Sequence, residues 1–258
     1  MIISATTGIL LALALFVSML VLLEVGRRAG ISRRKNVGEA YGAGLGAVEG
    51  AVFGLLGLLI AFTFSGAASR FDDRRALIIE EANDIGTAWL RISLLPSEAQ
   101  TALRQKFREY TDARIAIYDA LPDIKAARVH LARANAIQGE IWDLAIPAAQ
   151  ASAPAAPMLL LPALNAMFDI SNTRYWATQM HPPVVIFALL ISLALCCAVF
   201  AGYGMSATPN RNWLYSIGFS LVLSGAVLVI VDLEFPRLGV IRLNTFDHAI
   251  KDVRESMK

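Results

Sequence analysis

Four long apolar runs constrain this chain more than any other feature. They cover about residues 2–25, 41–68, 181–203 and 213–233. About 20 apolar residues in a helix cross the hydrocarbon of a bilayer. Composition supports the same reading. Of the 258 residues, 56% are hydrophobic and only 17% are charged, whereas a soluble domain usually carries about 25% charged residues. The expected fold is an all-α membrane protein. It has four transmembrane helices and an extramembrane helical bundle between the second and third spans.

The first run has no Lys or Arg before it and is too long for the apolar core of a signal peptide, so it reads as a retained span. A short basic loop follows, with Arg27, Arg28, Arg33, Arg34 and Lys35. Pro182 and Pro183 suit the start of the third span, where a missing backbone donor costs little. Trp213 and Tyr215 are interfacial anchors at the start of the fourth. The expected organisation is a transmembrane hairpin over 1–68, a bundle over 69–180, a second hairpin over 181–235 and an amphipathic tail over 236–258.

Residues 69–180 read as helices with breaks. Leu77, Ala82, Ile85, Trp89 and Ile92 recur near the helical period. Pro96 marks a restart with Ser97 as its N-cap, and Leu103, Phe107, Tyr110, Arg114 and Ile117 continue. Pro122 opens a third helix with Ile124, Val129, Ala132, Ile137, Ile141 and Leu144. Pro147, Pro154, Pro157 and Pro162 punctuate an Ala-rich connector. A last helix, about 162–180, leads into the third span. Two bundle helices are thus expected to prolong spans two and three, so that bundle and spans move as one body. In the tail, Phe246, Ala249, Ile250, Val253 and Met257 form an amphipathic pattern that packs on the bundle or lies on the membrane.

The second span carries the most information. Gly42, Gly46, Gly50 and Gly54 make a ridge without side chains, broadened by Ala43, Ala47 and Ala51. Small residues let membrane helices approach closely. The ridge packs either on another span of the same chain or on another subunit. Glu49 lies in the same span, and a carboxylate at membrane depth faces protein, water or a partner. It is solvated near the interface, bonded to a neighbouring helix, or part of an ion or proton path. Phe53, Leu56, Ile60 and Thr63 share its face, a candidate pore or helix-packing surface with an apolar constriction.

Ser216, Ser220 and Ser224 stripe the fourth span and read as helix glue. Arg70, Arg74 and Arg75 end the second span, and Asp232 and Glu234 end the fourth. Topology puts them on one membrane side, where they form ion pairs or an electrostatic vestibule. Gly202-Tyr203-Gly204 follows a full apolar run and reads as a helix stop, not an ion filter. Glu80, Glu81, Asn83 and Asp84 form an acidic cluster, read as a solvated helix face in preference to a cation site. Cys196 and Cys197 are adjacent, so they point about 100° apart and read as packing residues. His130, His181 and His248 lack ligand spacing, and no nucleophile or phosphate-loop motif is present. No metal, cofactor or enzymatic activity is expected. A net charge of +2 without a basic stripe gives no reason to expect nucleic acid.

Several segments together resemble a family. They are Gly50 to Arg75 (with Leu58 and Ile60-Ala61-Phe62-Thr63-Phe64-Ser65), Glu80 to Ala88, Tyr175-Trp176, His181-Pro182-Pro183 and Asp232 to Gly239. The family is one of bacterial integral membrane proteins of unknown function labelled bestrophin-like. Bestrophins proper are pentameric anion channels with four spans per subunit and a large cytoplasmic helical domain. The resemblance thus implies this architecture, a multi-pass protein of the inner membrane and, by analogy, anion conduction. No bestrophin pore motif maps residue by residue onto the chain, so the resemblance brings no pore residues.

The functional expectation is a homo-oligomeric ion channel whose partners are the lipid bilayer, further copies of the chain and small ions. The alternative is a non-conducting scaffold or signalling module acting through its bundle. A proton-coupled transporter using Glu49 fits less well, because paired repeats and broken helices are not evident. The basic residues 27–35 ask for one orientation, whereas Arg237, Arg242, Lys251 and Arg254 ask for the opposite one.

Overall fold

The computed structural model describes residues 5–37, 45–208, 212–237, 239, 241 and 244–258. These residues form helices α1 (Ala5–Val37), α2 (Leu45–Arg91), α3 (Ser97–Asp119), α4 (Ile124–Gln150), α5 (Ala155–Ala177), α6 (Val184–Met205), α7 (Trp213–Glu234) and α8 (Asn244–Ser256). Four of them, α1, α2, α6 and α7, are long and apolar enough to cross a membrane. The chain divides into two compact units. One is Met1–Arg70 with His181–Val240, the other Phe71–Met180 with Ile241–Lys258.

In the first unit α1 packs on α6 and α7. Leu15, Met19 and Leu23 of α1 are buried, as are Leu190, Ala194 and Cys197 of α6 and Val227 and Ile230 of α7. Two glycines set the α1–α6 spacing. A Cβ on Gly26 would run into the carbonyl of Val199, and one on Gly202 into the carbonyl of Leu23. Here absent side chains allow backbone-to-backbone approach. Helix α1 continues through Arg27 to Lys35, where a loop was expected, and Gly30 there lies close against Ser206. Helix α6 ends at Met205, so Gly202-Tyr203-Gly204 forms its last turn, at the stop the sequence suggests.

The second unit is a helical bundle with its own core. On α2 and the 3-10 turn that follows it (Ile92–Leu94) the buried stripe is Ile78, Ala82, Ile85, Trp89 and Ile92, alternating four and three residues apart. Ile78, not Leu77, begins it. On α3 Leu103, Phe107, Tyr110, Arg114 and Ile117 are buried, as the spacing suggests, and Thr111 and Ala113 join them. On α4 the stripe differs from expectation. Ala127, Ala134, Ile137, Ile141 and Ala145 are buried, whereas Val129 is 68% exposed and Leu144 38%. Alanine lets α3 and α4 lie close, and the bulkier residues turn outward.

Several boundaries also move. Ser97 is the first residue of α3 and gives no side-chain cap. Asp123 does cap α4, its Oδ1 accepting from the amides of Lys125 (2.9 Å) and Ala126 (3.1 Å). Pro147 and Pro162 lie within α4 and α5, so the connector shrinks to 151–154. A proline inside a helix removes one backbone bond. Buried Ala145 and Ala149 hold the helix around the first, and Leu160, Ala163 and Leu164 around the second. Finally, α5 ends at Ala177 and α6 starts at Val184, so this pair is interrupted, whereas α2 is one continuous helix. Pro182 and Pro183, which carry no backbone N–H, occupy the interruption.

Candidate functional site

On α2 the two candidate surfaces separate cleanly. Leu56 is 2% exposed, and Glu49, Phe53, Ile60 and Thr63 on the same side are half-buried. The Phe53 and Phe219 rings meet edge to face at 6.0 Å. The Glu49 carboxylate lies beside Gly204, where a Cβ would stand 3.6 Å from Oε2. Thr63 spends its hydroxyl on its own helix, donating to the carbonyls of Leu59 (2.7 Å) and Ile60 (3.0 Å). This face of α2 is thus partly covered by other helices of the same chain.

The glycine ridge lies elsewhere on the helix. A Cβ at Gly46, Gly50, Gly54 or Gly57 would meet none of the described residues within 4 Å. Gly42 lies outside the described residues. Large apolar side chains flank this open surface: Val48, Leu55, Leu58 and Phe62 are 52–67% exposed. Only 11% of the apolar stretch of α2 is buried, against 22–28% for the other three spans.

The charges at the span ends form defined contacts. Glu234 is fully buried at the last position of α7. A carboxylate there faces the negative end of the helix dipole and needs strong donors. Arg70 supplies them, its Nε 3.0–3.1 Å from both carboxylate oxygens and its Nη2 2.8 Å from Oε2. His181 adds Nδ1 at 3.0 Å from Oε1, with its ring 4.4 Å from that of Phe235. Asp232 is nearly buried beside Gly239, where a Cβ would collide with its carboxylate.

Arg74 and Arg75 have other uses. Buried Arg74 donates to the carbonyls of Ala177 (3.2 Å) and Met180 (3.0 Å), which cover the C-terminal end of α5. Arg75 bonds to Asp72 at 2.9 Å, and its guanidinium lies 4.2 Å from the centre of the Phe246 ring.

Sequence reasoning missed a network in the second unit. Glu81 is fully buried and accepts from Arg114 of α3 and Arg174 of α5. Arg174 also reaches Asp247 of α8 at 3.1 Å and stacks 4.0 Å over the Tyr118 ring. Burial by itself raises the Glu81 carboxyl, but the two guanidinium groups outweigh it and hold the carboxyl below the ordinary range. Glu80 and Asn83 stay exposed, so the acidic cluster splits. Among the described residues no group of His, Cys, Asp and Glu is arranged to hold a metal ion.

A helical membrane protein with four helices long and apolar enough to cross a bilayer, and an open glycine ridge on the second of them, is the class these features define. Residues 11–245 match the model of the bestrophin-like domain, and the chain belongs to that family. The fold is similar to the crystal structure of a bacterial bestrophin homolog from Klebsiella pneumoniae carrying a tryptophan-to-alanine mutation. That match has a TM-score of 0.69 at 16% identity, covering 95% of this chain and 97% of the homolog. A tyrosine-to-alanine variant of the Klebsiella homolog matches with a TM-score of 0.60 at 16% identity, over 93% and 98% of the two chains. No curated protein matches the sequence.

Proposed function

We propose that this protein is the subunit of a homo-oligomeric ion channel of the bacterial inner membrane, and that α2 forms the contacts between subunits and borders the conducting path. The carrying observation is the open ridge of Gly46, Gly50, Gly54 and Gly57, which meets nothing among the described residues of its own chain. In a bilayer, small residues drive close helix association. A ridge without an internal partner is therefore suited to a neighbouring copy. Glu49, Phe53, Leu56, Ile60 and Thr63 brace α2 on the rest of the subunit in this reading. Anions are the proposed ions, by analogy with bestrophins, and the reading needs neither catalysis nor a cofactor.

Purified protein reconstituted in a planar bilayer should carry current, and the reversal potential in a chloride gradient should follow chloride. Glu49→Gln, at the end of the bracing face, should change conductance. Absence of current across a range of lipids and salts would reject the channel.

The alternative is a scaffold acting through the second unit. It draws on exposed apolar side chains there, Val129, Met158 and Trp176 among them, which are 55–76% exposed. Cross-linking from Trp176 to another protein, lost on Trp176→Ala without loss of current, would support it as a separate role.

A further inference from the structure

The first unit contains a cavity of about 320 Å³ between α1 and the facing ends of α6 and α7. Leu23 and Met205 form its apolar floor, and Glu24, Arg27, Trp213 and Ser216 bring polar atoms to it. Ser216 Oγ lies 3.8 Å from Met205 Sδ, which ties the two helix ends across the cavity. An apolar hollow with a few converging polar groups is the usual form of a small-molecule site.

Its depth in the membrane follows from the sequence. The apolar stretch of α1 stops at Val25 and basic residues follow, while the apolar stretch of α7 starts at Trp213. The cavity therefore lies at headgroup level, where Trp and Tyr also concentrate. Trp213 and Tyr215 are 52% and 66% exposed.

Charge selects the ligand. Glu24 is paired with Arg28 at 2.8 Å. Glu24, Arg27 and Arg28 together carry a formal charge of +1, and Arg33, Arg34 and Lys35 follow on the same helix. Such a rim attracts anionic headgroups. We propose that this cavity binds the phosphate headgroup of an anionic phospholipid, with Arg27 toward the phosphate, Trp213 at the rim and the start of the acyl chains against Leu23 and Met205. This assignment stands whether or not the chain conducts ions.

The test uses the purified full chain, delipidated in detergent, with thermal unfolding as readout. Phosphatidylglycerol should raise the midpoint by at least about 3 °C more than phosphatidylcholine, because a ligand that binds the folded state stabilises it by mass action. Inorganic phosphate should give no such rise. Arg27→Gln should lose most of the gain. So should Ser216→Leu, which fills the cavity at constant charge. Elution volume and helix content matching wild type in the absence of lipid exclude a folding failure, and Arg27→Lys should retain part of the gain. The assignment is overturned if either Arg27→Gln or Ser216→Leu keeps the full gain, if the two lipids act alike, or if inorganic phosphate acts as strongly as the lipid.

Discussion

Arg70 grips the carboxylate of Glu234 through bonds of 2.8–3.1 Å, although 164 positions separate the two residues. Glu234 has no exposure of its own, whereas Arg70 keeps 30% of its side chain exposed. Removing one partner of a buried pair leaves the other charge without compensation. Arg70→Ala should therefore cost about 3 kcal/mol, the low end for such a break, since His181 remains near Glu234. The double variant Arg70→Ala with Glu234→Gln should recover part of that loss. Thermal unfolding of the four proteins of the double-mutant cycle measures the coupling.

Glu81 gives the second unit a dependence on acid. Its carboxyl is held below the ordinary range in the folded state. The unfolded chain then binds more protons at low pH, so stability rises with pH. The contribution is complete above the unfolded value of about 4.3 and is lost as pH falls through the folded value. Unfolding midpoints measured from pH 7 down to pH 3 should decline below about 4.3. Glu81→Gln should start lower at pH 7 and decline less steeply. An unchanged acid limb in Glu81→Gln would show that other carboxylates dominate.

Much of the architecture was legible because membrane spans announce themselves. An apolar run of about 20 residues has few alternatives in lipid, and the buried stripe of α3 follows a spacing visible along one helix. Sequence reading failed where the partner is distant or small. Glu81 resembles its acidic neighbours until Arg114 and Arg174 arrive from 33 and 93 positions away. Arg114 did carry a signal, since it occupies an apolar stripe between Tyr110 and Ile117. A charge in such a position asks for a buried counter-charge. The α4 stripe was misread because alanine, buried at Ala127, Ala134 and Ala145, registers weakly as hydrophobic. Spacing alone likewise could not tell which side of α2 turns toward the chain's other helices.

Helix α8 should depend on its apolar contacts more than on its two exposed ion pairs. Ile250 is 1% exposed, and Met257, just beyond the helix, is 3% exposed. Arg254 pairs with Asp112 at 2.7 Å and Lys251 with Asp119 at 3.1 Å, but both carboxylates are more than half exposed. Exposed pairs contribute roughly 0.2–1 kcal/mol, whereas truncating a buried Ile to Ala costs about 2–5 kcal/mol. Ile250→Ala should speed hydrogen exchange throughout α8, and Arg254→Ala should have a small effect that fades in high salt. The reverse order would give the exposed ion pairs the larger share of the attachment.

The two sets of glycines should respond in opposite ways to substitution. Gly26 and Gly202 face the carbonyls of Val199 and Leu23. Backbone cannot move aside as a side-chain end can, so α1 and α6 must separate to admit a methyl group. Gly202→Ala should then cost about 1–3 kcal/mol through overpacking and lower the thermal midpoint of the subunit. Gly50 and Gly54 have open space around them, so Gly50→Leu with Gly54→Leu should leave the helix content of the subunit intact. The effect should appear in assembly, as a smaller particle mass by light scattering and a loss of current in the same preparation. Gly202→Ala should show the converse, an unfolding defect that persists under conditions where subunits are separated. If Gly50→Leu with Gly54→Leu assembles and conducts like wild type, the ridge faces lipid and contacts no neighbouring subunit.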